Sequence, residues 1–254
     1  MNRGRYRIGN VSVSITTLAN SISIIEKAAR RQDNFQVLVS DFRSICYASD
    51  NENYRQIVER GLLNVPDGMP LIWMSRLWGL KNVSRTSGPE LFVSLLSNPD
   101  NGLKHYLIGD TDEVLEEIIS KYRNTFGSKI AGKHSPPFLE VEAFDYKGIA
   151  KLINESDADL VWISMTAPKQ DYFAAQIEPL VNGKVLLGVG AAFRYSIGKY
   201  NLPGPFLQKI GLSGLFIRKI TFWQLNWYIT HTVRLVLFSI QIIYKRIRGR
   251  KYFD

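Results

Sequence analysis

At 254 residues, with 45% apolar content and a net charge of +9, the chain can bury a full core as one large domain or one domain with an appendage. Its single cysteine, Cys46, excludes an internal disulfide, and three scattered histidines, His105, His134 and His231, argue against a zinc site. Repeats and low-complexity tracts are absent, and no charged n-region with an apolar h-region and a small-residue cleavage site opens the sequence, so the body is expected to be cytoplasmic.

Taken in order, the pattern predicts a helix near 17–31, a strand FQVLVS (35–40), a helix near 46–60, a strand LLNV (62–65), and helices near 70–80 and 88–97. A strand HYLIG (105–109), helices near 111–124 and 146–155, a strand DLVWISM (159–165), a helix near 169–181 and a strand KVLLGVG (184–190) follow. Strands this apolar are buried on both faces, and helices between them imply an α/β fold: a mostly parallel, Rossmann-like sheet flanked by helices, with a C-terminal helical appendage. The expected division is a core over 1–212 and a basic, apolar, membrane-associating tail over 213–254.

The tail carries the charge asymmetry. From Phe216 onward eight Lys or Arg stand against the lone acid Asp254, which implies an anionic partner, membrane surface or nucleic acid. Ile220 to Tyr244 is long enough to span a bilayer, but Arg234, His231, Asn226 and Gln241 disfavour spanning. At 100° per residue Trp223, Trp227 and Arg234 share one side, and Ile229, Val233, Val236, Leu237 and Ile240 fill the other, so cover is needed nearly all round. The ending KRIRGRK (245–251) beside this segment suits anionic headgroups better than nucleic acid, with packing on the core or on a second subunit as the alternative.

In parallel sheets ligands gather where the loops leave the carboxyl ends of the strands. There the sequence places Asp41, then Pro66-Asp67-Gly68, Asp110-Thr111, Thr166-Ala167-Pro168-Lys169-Gln170 and Ala191-Ala192-Phe193-Arg194. Alone, Asp67 in NVPDGMP reads as a turn residue; the neighbouring polar ends make it a candidate site residue. Two acid-x-acid pairs, Asp110/Asp112 and Asp157/Asp159, have the spacing of a divalent-cation ligand set. The second precedes its strand and lies at the wrong end. The first opens a helix and reads as capping by Asp110 or Thr111, so no metal is expected. GVGAAF (188–193) is an incomplete dinucleotide fingerprint whose small residues still let backbone N–H groups approach a phosphate or base. In APKQD (167–171), Lys169 and Gln170 are expected to face the strand ends, with an ordinary solvated helix start as the alternative; in SRTSGPELF (84–92), Arg85 is a second candidate phosphate ligand.

VPDGMPLIW (65–73), Arg85 with SGPELF (87–92), SPPF (135–138), APKQ (167–170) and GVGAAF (188–193), in this order and at these intervals, resemble the WecG/TagA/CpsF family of bacterial glycosyltransferases, over roughly Ile8 to Gly211. The resemblance implies inverting transfer of a sugar from a nucleotide diphosphate, usually a UDP-sugar such as UDP-ManNAc, onto a polyprenyl-diphosphate-linked acceptor in surface polysaccharide synthesis, without metal or cofactor. It places the catalytic base on Asp67 and donor contacts on Arg85, Lys169, Gln170, Gly188, Gly190, Ala191 and Ala192. Asp41, Arg194 and Arg218 are further candidate donor or acceptor contacts. Three departures stand out: Val39-Ser40-Asp41 replaces a Thr-x-Asn, Arg194 replaces an Asp, and FIRKITFWQLNWY (216–228) replaces an arginine-rich stretch. The implied partners are the sugar nucleotide, the lipid-linked acceptor and the inner membrane surface, not nucleic acid, with oligomerisation left open. Competing readings are a catalytically weak scaffold in polysaccharide assembly and a nucleotide-dependent oxidoreductase, the latter lacking the full fingerprint and ribose-binding acid it needs.

Overall fold

The computed structural model describes residues 4–201 and 222–252, with side chains of the final helix from Thr230 onward. Six parallel strands form the main sheet: β3 (Phe35–Ser40), β4 (Leu63–Pro66), β5 (Lys104–Gly109), β6 (Lys129–His134), β7 (Leu160–Ser164) and β8 (Val185–Gly188), in the order β4-β3-β8-β7-β5-β6. The chain builds β3 to β4 outward on one side and β5 to β6 outward on the other, then fills the gap with β7 and β8. The loops therefore diverge above the centre of the sheet, the crevice where ligands sit in such folds. β7 and β8 are buried at every position, as their unbroken apolar runs require.

Two features were not expected from the sequence. A hairpin, β1 (Arg5–Ile8) paired antiparallel with β2 (Val11–Ser14), precedes the first helix, and β6 occupies the sheet edge. The hairpin is tied to β4: Asn64 donates its backbone N–H to the Ser14 hydroxyl (3.0 Å) and its amide to the Ser12 carbonyl (2.9 Å). Strand β6 (KIAGKH) carries lysines and a glycine, the composition of a protected edge.

Helices α1 (Leu18–Ala29), α5 (Gly88–Leu96), α6 (Asp112–Phe126) and α9 (Ala192–Ser196) cover one face of the sheet around Phe92, Trp162 and Phe193. On the other face α7 (Tyr146–Glu155) and α8 (Lys169–Ile177) pack on β5, β7 and β8. A third cluster joins the hairpin to α2 (Phe42–Asp50), α3 (Glu52–Arg60), α4 (Met69–Leu77) and the last helix, α10 (Phe222–Ile247). The expected helix 46–60 is two helices: Asn51 is extended (φ −117°, ψ 109°) and its side chain caps α3 by accepting from Tyr54 N–H. The expected helix 169–181 stops at Ile177 and continues as a single 3₁₀ turn, Glu178–Leu180, around Pro179.

The tail is partly packed on protein. Ile242 is buried, Phe238 meets Phe42 edge-on at 6.3 Å, Arg234 pairs with Asp50 at 2.6 Å, and Arg246 donates to the Leu77 carbonyl at 2.8 Å. Val233, Val236, Leu237, Ile240, Tyr244 and Ile247 are exposed along the remaining face. Among the described residues, no helix is long and apolar enough to cross a membrane. The 212/213 boundary, Arg218 and the side chains of Trp223, Trp227 and Ile229 lie outside what the structure describes.

Candidate active site

Asp67 stands one residue beyond β4, and its backbone is held from both sides. Its N–H donates to the Ser40 carbonyl (2.8 Å), and Thr86 N–H donates to the Pro66 carbonyl (2.9 Å). Gly68 follows at φ +100°, a conformation a Cβ would strain, and turns the chain into α4. The Asp67 carboxyl keeps about a third of its side-chain surface open, yet protein surrounds it otherwise. That loss of hydration pushes its pKa from 3.8 up to about 7, against the pull of Arg85, with the charge of Asp41 and Glu90 adding to the rise. A carboxylate poised near neutrality is suited to taking a proton from a hydroxyl.

Arg85 lies between two acids. Its guanidinium is 3.5 Å from Asp67 Oδ1 and 2.7 Å from Glu90 Oε1. Glu90 in turn caps α5, accepting from the Ser87 N–H (2.9 Å) and hydroxyl (2.7 Å). This capping box was not among the sequence expectations, although S-x-x-E at 87–90 has the spacing that announces one. A Cβ on Gly88 would come within 2.5 Å of the Val189 carbonyl oxygen, so the start of α5 rests directly on the glycine-rich loop after β8.

That loop is braced from below. Gly190, at φ +59°, donates its N–H to Gln170 Oε1 (2.8 Å), and its carbonyl accepts from the Ser164 hydroxyl (2.7 Å). Gln170 is buried, so its place is beneath the loop, where it orients backbone; it does not face the open strand ends as the sequence led us to expect. Gly188 sits over Gln170 and Asp171, where a Cβ would approach to 3.0 Å. Ala191 leads into α9, and Ala192 is fully buried in it. Sequence reasoning missed Asp171: its Oδ2 accepts from Tyr54 Oη (2.7 Å), its Oδ1 has no hydrogen-bond partner among the described residues, and burial pushes its pKa to about 7.

The other candidates lie around this centre. Lys169 donates to the Leu139 carbonyl and lies over the rings of Phe138 (4.5 Å) and Phe144 (5.4 Å), so its ammonium is directed at the loop after β6. Pro168 precedes it at the helix N-cap, behind a cis peptide bond. Asp41 caps α2 by accepting from Ser44 N–H (2.9 Å) and pairs with Arg43 (2.5 Å). Arg194 grips Asp110 through Nε (2.9 Å to Oδ2) and Nη2 (2.9 Å to Oδ1), and its Nη1 donates to Tyr200 Oη (3.2 Å). Thr111, not Asp110, therefore caps α6, and Asp112 pairs with Lys133 at 2.7 Å. At the far end of the sheet Asp157 pairs with Lys104 and Asp159 accepts from Lys104 N–H (2.8 Å). No group of three or more His, Cys, Asp or Glu among the described residues could hold a metal ion.

Comparison with known proteins gives the arrangement a context. The Glycosyl transferase WecG/TagA/CpsF family matches residues 6–252, which takes in α10 as well as the sheet and extends past the Gly211 limit of the motifs. An N-acetylglucosaminyldiphosphoundecaprenol N-acetyl-beta-D-mannosaminyltransferase of Bacillus spizizenii is 27% identical over 66% of this chain and 65% of its own length. The protein of the same name from Bacillus subtilis is 24% identical over 85% of this chain and 84% of its own. A family match spanning nearly every residue, on a parallel sheet whose loops bring Asp67, Arg85 and a glycine-rich turn to one end, shows that the chain belongs to the WecG/TagA/CpsF family of glycosyltransferases.

Proposed function

We propose that the protein transfers an N-acetylhexosamine, in our reading from UDP-ManNAc, with inversion onto a polyprenyl-diphosphate-linked N-acetylglucosamine for surface polysaccharide synthesis. The observation that carries the mechanism is Asp67, a partly open carboxyl at a strand end whose pKa lies near 7, beside a guanidinium. The acceptor hydroxyl oxygen attacks the anomeric carbon as the bond to the nucleotide diphosphate breaks. Its proton goes to Asp67, and the leaving oxygen departs with the bonding electron pair. In our reading Arg85 offsets the charge developing on the diphosphate, the role a metal takes elsewhere, and the small residues from Gly188 to Ala192 let the donor approach the turn closely. The Bacillus relatives, whose names specify an N-acetylmannosaminyl transfer to an undecaprenyl-diphosphate-linked N-acetylglucosamine, support the transferred sugar and the acceptor.

The lipid acceptor requires a membrane surface, and α10 offers one means of reaching it. Its exposed apolar stripe runs from Val233 to Ile247 and ends among Lys245, Arg248, Arg250 and Lys251, a combination suited to anionic headgroups. In our reading the protein acts at the cytoplasmic face as a peripheral membrane enzyme. The test is transfer of label from UDP-ManNAc to a lipid-diphosphate-linked N-acetylglucosamine by the purified chain, with and without EDTA. Labelled product in both is expected. Product lost in EDTA and restored by Mg²⁺ or Mn²⁺ would overturn metal independence, and no product under any condition would favour a scaffold.

A further inference from the structure

The three charges at the base form a chain with unequal links. Arg85 approaches Glu90 to 2.7 Å but Asp67 only to 3.5 Å, so its shorter contact is with the acid that does no chemistry. Glu90 cannot wander, because its second oxygen is fixed by the Ser87 N–H and hydroxyl at 2.9 and 2.7 Å. The capping box of α5 thus doubles as an anchor for a guanidinium, and α5 itself is seated on the Val189 carbonyl through Gly88. Resting on the catalytic reading above, we infer that Glu90 is a positioning residue that draws Arg85 away from Asp67, leaving Asp67 able to accept the acceptor's proton while Arg85 stays within reach of the diphosphate.

The alternative geometry shows why an anchor is needed. A guanidinium free to close bidentately on Asp67 would hold it as a paired carboxylate and weaken it as a base. Among the described residues, the other charges bearing on Asp67 are Asp41 and Arg43 at the start of α2, and Tyr195 on α9 feels the charge of Asp67. Glu90, among the described residues, bonds Arg85 through one oxygen while its other is locked by a helix cap.

The test is the pH dependence of transfer by the full-length protein in wild-type, Glu90→Gln, Glu90→Asp and Ser87→Ala forms, with Asp67→Asn alongside. Wild-type rate should rise on an acidic limb near pH 7. In Glu90→Gln, which keeps the cap acceptor but loses the charge, the limb should move down by about one unit and the plateau rate should fall several-fold. Glu90→Asp retracts the carboxylate by one methylene and should show a smaller shift in the same direction. Ser87→Ala removes one of the two contacts that fix Glu90 but keeps the charge, and should move the limb in the same direction by less than Glu90→Gln does. Limbs that coincide in wild type, Glu90→Gln and Glu90→Asp, with Asp67→Asn inactive, would overturn the role of Glu90 while sparing Asp67 as base. Full activity in Asp67→Asn would instead overturn the catalytic reading, and this inference with it.

Discussion

Asp67 is held where its charge is poorly hydrated, and that placement has a pH signature in stability as well as in rate. Its folded pKa, about 7, lies above the unfolded value of 3.8, so the folded state holds the extra proton between these limits and stability falls as pH rises through that window. Above pH 7 the ionised carboxylate opposes folding, reduced by its partial exposure and by Arg85. Asp67→Asn should therefore melt about 2–4 °C higher than wild type at pH 8, which is about 1 kcal/mol for a domain this size, and no higher at pH 4. Equal differences at both pH values in a thermal melt would contradict the assignment of burial as the cause. The place of Asp67 at a strand end was legible because it follows an apolar run; its candidacy came from the polar strand ends beside it and the family motifs, since PDG alone reads as a turn. Asp171, with a similar pKa, was not legible: in APKQD it reads as a helix-start acid, and only the fold brings Tyr54, 117 positions away, against it.

At the scale of elements, the contact between α5 and the glycine-rich loop shapes the site. Gly88 is there because a side chain would strike the Val189 carbonyl, backbone that cannot swing aside. Gly88→Ala should cost about 1–3 kcal/mol by overpacking and weaken nucleotide binding, since it displaces the small-residue turn that the donor approaches in our reading. Unchanged melting and unchanged UDP affinity by calorimetry would show that the loop tolerates the shift. The buried strands β3, β4, β5, β7 and β8 were readable because each is an apolar run between turn signals. The hairpin and β6 were not: β1 (RYRI) and β2 (VSVS) alternate, but over only four residues each, too short a run to stand out, and β6 is polar because it is an edge. The break at Asn51 hid for a related reason, since one asparagine side chain does the work of a turn.

Across the whole molecule, α10 links the catalytic end to the membrane in our reading. The sequence showed that this segment needed cover on most sides; the structure divides the cover, giving Phe238 and Ile242 to the core and leaving Val236, Leu237 and Ile240 exposed. Cutting the chain after Leu212 would also uncover the core beneath Ile242, so substitution is the cleaner probe. Leu237→Glu with Ile240→Glu should keep the fold and abolish flotation with anionic liposomes, while wild-type flotation should weaken as salt rises. Flotation equal in both proteins would assign the exposed stripe to a protein partner. Central to everything above is Asp67 as the base, and the most direct measurement is the turnover of Asp67→Asn beside its affinity for UDP. Turnover should fall by roughly 10²-fold or more with UDP affinity nearly unchanged, because an amide keeps the shape but cannot take the proton. Wild-type turnover in that variant across pH 5 to 9 would contradict the account.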